Sequence, residues 1–116
     1  MKPYLHAENS VRKHGGKVED YLPIHNFLDS SKSAHADMRH RAILHNSLGC
    51  YIAETVFGVS FLNSAGKMVQ VRDIAEEHIL EDMGKIPSLG DYLNDMPFYD
   101  WLGGPKKTVR KIPLRD

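Results

Sequence analysis

The chain has one cysteine, one tryptophan and no net charge, and two of these scarcities close off a class of function. A lone Cys50 cannot form an internal disulfide, and the paired CxxC motifs of structural zinc modules are missing. Lys plus Arg number 15, as do Asp plus Glu, so no general electrostatic attraction to nucleic acid or to a charged membrane surface is expected. No run approaches the ~20 apolar residues of a membrane span. The first residues carry no apolar stretch of the secretory kind, which makes a cytoplasmic location the expectation. Gly15-Gly16 and Gly103-Gly104 lack the strand and helix context of a phosphate loop, and no serine sits on an elbow sequence. Cys50 itself falls in an apolar stretch with no activating neighbour, where a buried, inert thiol is expected.

Against these absences stands a surplus. Seven of the 116 residues are histidine, in a chain otherwise ordinary for a globular protein at 41% apolar and 26% charged. Imidazole titrates near neutrality and ligates transition metals, so the surplus directs attention to metal or proton chemistry.

The pattern predicts a mostly α (α+β) fold, a compact helical domain around one long central helix with a small β-hairpin. The central stretch is Ala34 to Gly58, AHADMRHRAILHNSLGCYIAETVFG. At about 100° per residue, Asp37, His40, Arg41, Leu44, Leu48, Tyr51 and Thr55 would share one stripe, with the polar first turns pointing inward. A helix over 4–14, stopped by Gly15-Gly16, and a second from about Asp20 to Ser30 precede it. On the second, Ile24, Phe27, Leu28 and Ser31 suit one face and His25, Asp29 and Lys32 another. Residues 59–71 read as a hairpin around Asn63–Gly66, and 72–83 as a helix that Gly84 ends. Ser88 caps a last short helix through about Met96. Phe98, Tyr99, Trp101 and Leu102 are expected to fold back over the core of a domain spanning 1–104. The basic segment 105–116 is expected to be a solvated or partner-binding tail.

Three helices offer site residues. His78 lies about 40° from Ile74, in the middle of an apolar face, and Asp82 one turn on can orient it. A core histidine satisfied by a local carbonyl or carboxylate competes with that reading. Asp37 and His40, three apart, share a face, although an Asp37–Arg41 ion pair competes for the carboxylate. His45 would lie about 140° from His40 on an ideal helix, too far round to share an ion with it. His25 with Asp29 is the natural third contributor, because the short serine turn brings its helix close. The expected metal ligands are therefore His25, His40 and His78, with Asp37, Asp29 and His45 as further candidates, and Glu76 or Asp82 as supporting carboxylate or base. Imidazole with carboxylate suits zinc, iron, manganese or nickel, and an open position would hold a water activated as nucleophile. His14 and His35 are expected on the surface, and His6 is left open.

The pieces KHGG, EDYLPIH, ADMRHRAILHNSLG, ETVFG and VRDIAEEHILEDMGKIP, spread over Leu5 to Tyr92, resemble a family of small bacterial and phage proteins of unknown function. The resemblance implies a shared compact fold and a polar site around His25, His40, Arg41, His45, Glu76 and His78, and it brings no activity. Two functional readings follow. One is a metal-binding, hydrolase-like domain. The other is a non-enzymatic interaction protein, such as a phage-encoded modulator of a host protein. In that case the polar cluster is structural, and PFYDW or the basic tail makes the contact. Hairpin edges and an apolar helix are also compatible with a homodimer.

Overall fold

A computed structural model describes residues 1–104 of the chain; the expected basic tail, 105–116, lies outside the described residues. Helix α1 (Pro3–His14) begins at a proline, which needs no helical hydrogen-bond partner there, and ends in Arg12, Lys13 and His14, which suit the negative pole of the helix. Its inward face is His6, Ala7 and Ser10. It packs against α2 (Val18–Asp29), whose buried residues are Tyr21, Ile24, His25 and Leu28. Asp20 fastens the start of α2. Its carboxylate accepts from the Lys17 amide at 2.8 Å, and from the amide (3.0 Å) and hydroxyl (2.7 Å) of Ser64 in the hairpin loop.

The long helix expected over 34–58 is not continuous. Ser30–Ser33 and Met38–His40 are 3-10 turns, Arg41–Leu44 is a single α-turn (α3), and α4 runs from Ser47 to Phe57. The cause is Asn46. It is extended (φ −157°, ψ 173°), its Oδ1 accepts the Gly49 amide at 2.8 Å, and its Nδ2 donates to the Ala42 carbonyl at 2.8 Å. Its side chain thus takes up backbone groups that a continuous helix would pair internally. The chain folds so tightly there that a Cβ on Gly49 would lie 1.8 Å from the Leu44 carbonyl oxygen. The break also turns the later half of the segment. Gly49, Cys50 and Ala53 face inward, while Leu48 and Tyr51, expected in the buried stripe, are 42% and 59% exposed.

Strands β1 (Ser60–Leu62) and β2 (Met68–Gln70) pair antiparallel with Phe61 opposite Val69, the two-stranded hairpin read from the sequence. Buried Asn63 holds the loop. Its Nδ2 donates to the His14 carbonyl (3.1 Å) and the Tyr21 hydroxyl (3.0 Å), and its Oδ1 accepts the amides of Ala65 and Lys67. Helix α5 (Val71–Met83) follows β2 directly and buries Val71, Ile74, Ala75, His78 and Ile79; Gly84, at φ 75°, ends it in the left-handed conformation. α5 packs against α1, α2 and α4, so α2 and α5 form the centre of the molecule rather than the 34–58 segment.

Ser88 caps α6 (Leu89–Leu93), a helix shorter than expected. The aromatic segment beyond it does not cover the core. Phe98, Trp101 and Leu102 are 51%, 77% and 45% exposed, and Trp101 stacks on Tyr99 with ring centroids 5.0 Å apart. The fold is mostly helical with one small antiparallel sheet. Among the described residues no helix is long and apolar enough to cross a membrane.

Candidate metal centre

Five of the seven histidines are buried, each at most 2% exposed: His6, His25, His40, His45 and His78. They reach the interior from different elements. His6 comes from α1, His25 from α2, His40 from the 3-10 turn, His45 from the break before α4, and His78 from α5. Asp29, at the end of α2, and Asp82, one turn beyond His78, bring the carboxylates.

Four of these side chains converge. His78 Nε2 stands 3.1 Å from Asp29 Oδ1 and 3.4 Å from Asp82 Oδ2, and His45 Nε2 stands 3.0 Å from Asp82 Oδ2 and 3.6 Å from Asp29 Oδ1. One ligating atom from each of the four lies within 4.8 Å of all the others. The second Asp29 oxygen, Oδ2, is buried without a hydrogen-bond partner, and so is His45 Nδ1. A buried acceptor left unpaired is costly, so Asp29 Oδ2 marks a place where the protein alone does not satisfy its own groups.

Behind this group lies a layer that fixes proton positions. Ser10 Oγ donates to the His6 carbonyl at 3.2 Å, so at 2.8 Å it must accept from His25 Nε2–H. Burial, reinforced by the neighbouring His78 and His6 rings, pushes His25 down to about 3, so this ring is neutral. Its Nδ1 is then a bare acceptor, and at 2.9 Å it accepts the Nδ1–H of His78. For His78, burial opposes charge, yet the hydrogen bonds to Asp29 and Asp82 outweigh it and raise the ring above its usual value. Burial acts to raise both carboxylates. For Asp82 it is overcome by His45, His6 and His78, and for Asp29 chiefly by His78, so both are held below the usual carboxylate range. His78 thus sits between two carboxylates, an environment that favours a cation.

Asp82 Oδ1 faces the other way, accepting from His6 Nε2 at 3.1 Å and from the Met1 amine at 3.2 Å, while His6 Nδ1 meets Glu81 Oε1 at 2.7 Å. His6, His25 and His78 also bring nitrogens close together. His6 lies face to face on His78 at 3.8 Å and 27°, so their in-plane lone pairs do not share a point, and the Nδ1 atoms of His25 and His78 are already spent on each other at 2.9 Å. That trio is a hydrogen-bonded support, and the Asp29–His45–His78–Asp82 group is the set with ligand geometry.

The structure thus brings together His25, Asp29, His45, His78 and Asp82 of the residues singled out from the sequence. His40 stands at the edge. Its Nδ1 meets Ser31 Oγ at 2.9 Å, its ring lies 5.8 Å from that of His45, and burial, then the neighbouring His45 ring, lowers its pKa. Asp37 is not in the site. It caps the 3-10 turn, and its exposed carboxylate pairs with Arg39 at 2.7 Å and His35 at 3.2 Å, not with Arg41 or His40. Glu76 is likewise elsewhere, 3.8 Å from Arg72 on the flank of α5. His14, expected at the surface, is half-buried against Glu77. Ser10 and Glu81 are not among the expected site residues and His6 is left open there; the i, i+4 spacing of His6 and Ser10 is the sequence signal for those two. A cavity of about 290 Å³ reaches the Asp29 and Asp82 carboxylates and is walled by Lys2, Lys32, Met38, His40 and Arg41.

No curated protein and no solved structure matches the chain. A family profile does, over residues 1–102. With its buried histidine and aspartate cluster held entirely inside the matched region, the chain belongs to the family described as a domain of unknown function, DUF6915.

Proposed function

We propose that Asp29, His45, His78 and Asp82 bind one divalent transition-metal ion. The observation that carries this reading is a distance. Ligand atoms placed tetrahedrally about a cation at ~2.0–2.2 Å stand about 3.3–3.6 Å from one another. The four nitrogen–oxygen separations run from 3.0 to 3.6 Å. Two imidazoles with two carboxylates suit zinc, iron, manganese or nickel, and a cation would replace the proton that His78 Nε2 now shares with the carboxylates. His25 then orients His78 through Nδ1, as an outer partner orients a metal-bound imidazole. A water on the cavity side of such an ion would be activated as a nucleophile, which makes hydrolysis the fitting reaction class.

Protein purified without a histidine tag tests the proposal by metal analysis. The expected result is close to one ion per chain in the wild type and in His40→Ala, and none in His78→Ala. Metal-free wild-type protein that also refuses added zinc, manganese, iron and nickel overturns it.

The exposure of Phe98 and Trp101 favours a second reading, an interaction protein whose PFYDW segment makes the contact while the buried cluster is a structural ion network. Under that reading no metal loads.

A further inference from the structure

The cavity over the two carboxylates has a second chemical character. Asp29 and Asp82 are matched from below by His78 and His45. The walls carry Lys2, Lys32 and Arg41, and among the described residues none of these three has a hydrogen-bonded or ion-paired side-chain partner. Arg41 Nε goes further: it is buried, and nothing accepts its proton. An unsatisfied buried guanidinium donor calls for an acceptor, and although Asp29 Oδ2 is also unpaired, the two are not hydrogen-bonded to each other. Arg41 begins α3, one residue after His40, whose ring is pinned by Ser31, so the guanidinium is carried by a fixed turn rather than a loose loop.

A site with a cation on its floor and a guanidinium and an ammonium on its walls fits an anion with several oxygens. One oxygen meets the floor while others meet Arg41 and Lys32. A phosphoryl group has that shape; a carboxylate, with two oxygens in one plane, reaches only part of it. The volume of about 290 Å³ lies at the small end for ligand pockets, leaving room for a phosphate and a modest organic group.

We propose that this cavity binds the phosphoryl group of a small phosphate monoester and, resting on the metal reading above, hydrolyses it. Water attacks phosphorus and a new P–O bond forms. The bond from phosphorus to the ester oxygen breaks, and one proton of the water ends on the departing alcohol while the other stays on hydrogen phosphate. No oxidant or second substrate is needed.

The experiment measures metal content, inorganic phosphate binding by calorimetry, and turnover of p-nitrophenyl phosphate in the same preparations of metal-loaded full-length protein. The wild type is expected to bind phosphate more tightly than acetate and to release nitrophenol. Lys32→Gln and Arg41→Gln should each weaken phosphate binding by about ten- to a hundredfold with metal content unchanged. Lys32 is exposed, so its variant keeps the test alive should Arg41→Gln fold poorly. Full metal loading with no phosphate binding at millimolar concentration, or equal binding of acetate, overturns this inference alone. Phosphate binding that survives both substitutions overturns the assignment to this cavity. Failure to load metal removes the hydrolytic step together with the reading beneath it.

Discussion

His25 and His78 meet nitrogen to nitrogen, Nδ1 to Nδ1 at 2.9 Å, so one ring must donate and the other accept. Ser10 decides which, because its own proton is given to the His6 carbonyl. His25→Phe keeps a ring in the stack and removes the acceptor. It should leave the protein folded and weaken metal binding by about ten- to a hundredfold, measured by competition with a chelating indicator. Unchanged affinity would mean that His25 does not orient His78.

Asp82 is shared by His45, His78 and His6, and its side chain is 2% exposed. Asp82→Asn keeps the shape and removes the charge that three imidazoles face. Metal-free protein should lose about 3–5 kcal/mol of unfolding free energy in urea, as expected when one partner of a buried charge network is deleted. A loss below about 1 kcal/mol would fit an exposed pair instead and would contradict the burial.

Gly49 tests the break in the expected helix. A methyl group there meets the backbone oxygen of Leu44, which has no flexible end to swing away. Gly49→Ala should therefore cost more than ~3 kcal/mol, in the range reserved for severe core clashes. Since it must move the residues beside His45, metal loading should fall with it.

Cys50 offers a pH test away from the site. Burial pushes its thiol from 9.0 up to about 11, with nearby Glu76 adding to the shift. A raised folded value means that the folded chain holds the proton more tightly. The contribution is thus full below pH 9 and is lost as the pH rises toward 11. The loss should be on the order of 2 kcal/mol, and Cys50→Ala should lack that part of the alkaline slope. The native thiol should also resist alkylation at neutral pH until the protein is unfolded.

What could be read from the sequence depended on whether the signal was local. The end of α1 at Gly15 and the end of α5 at Gly84 follow from residues that act within one turn. His25 with Asp29, and His78 with Asp82, are i, i+4 pairs on intact helices, so their shared faces were legible. His45 was among the candidates, but its convergence with His78 was not legible, because its direction depends on Asn46 leaving the helix. Asp37 was aligned with His40 only on the assumption of an unbroken helix. His6 was out of reach because nothing in α1 announces that it crosses α5. The aromatic run at 98–102 had the composition of a core segment, yet it leaves most of Trp101 in solvent.

The break at Asn46 leaves His45 carried by a joint instead of a cylinder. Its carbonyl takes the Tyr92 hydroxyl at 2.9 Å, and the next free amide, that of Ser47, is bound by the Pro87 carbonyl at 2.9 Å. The aim of this imidazole therefore depends also on the short helix after α5, whose tyrosine stands 47 residues along the chain from His45. Loosening that distant latch would let one corner of the cluster swing while the other three stayed seated.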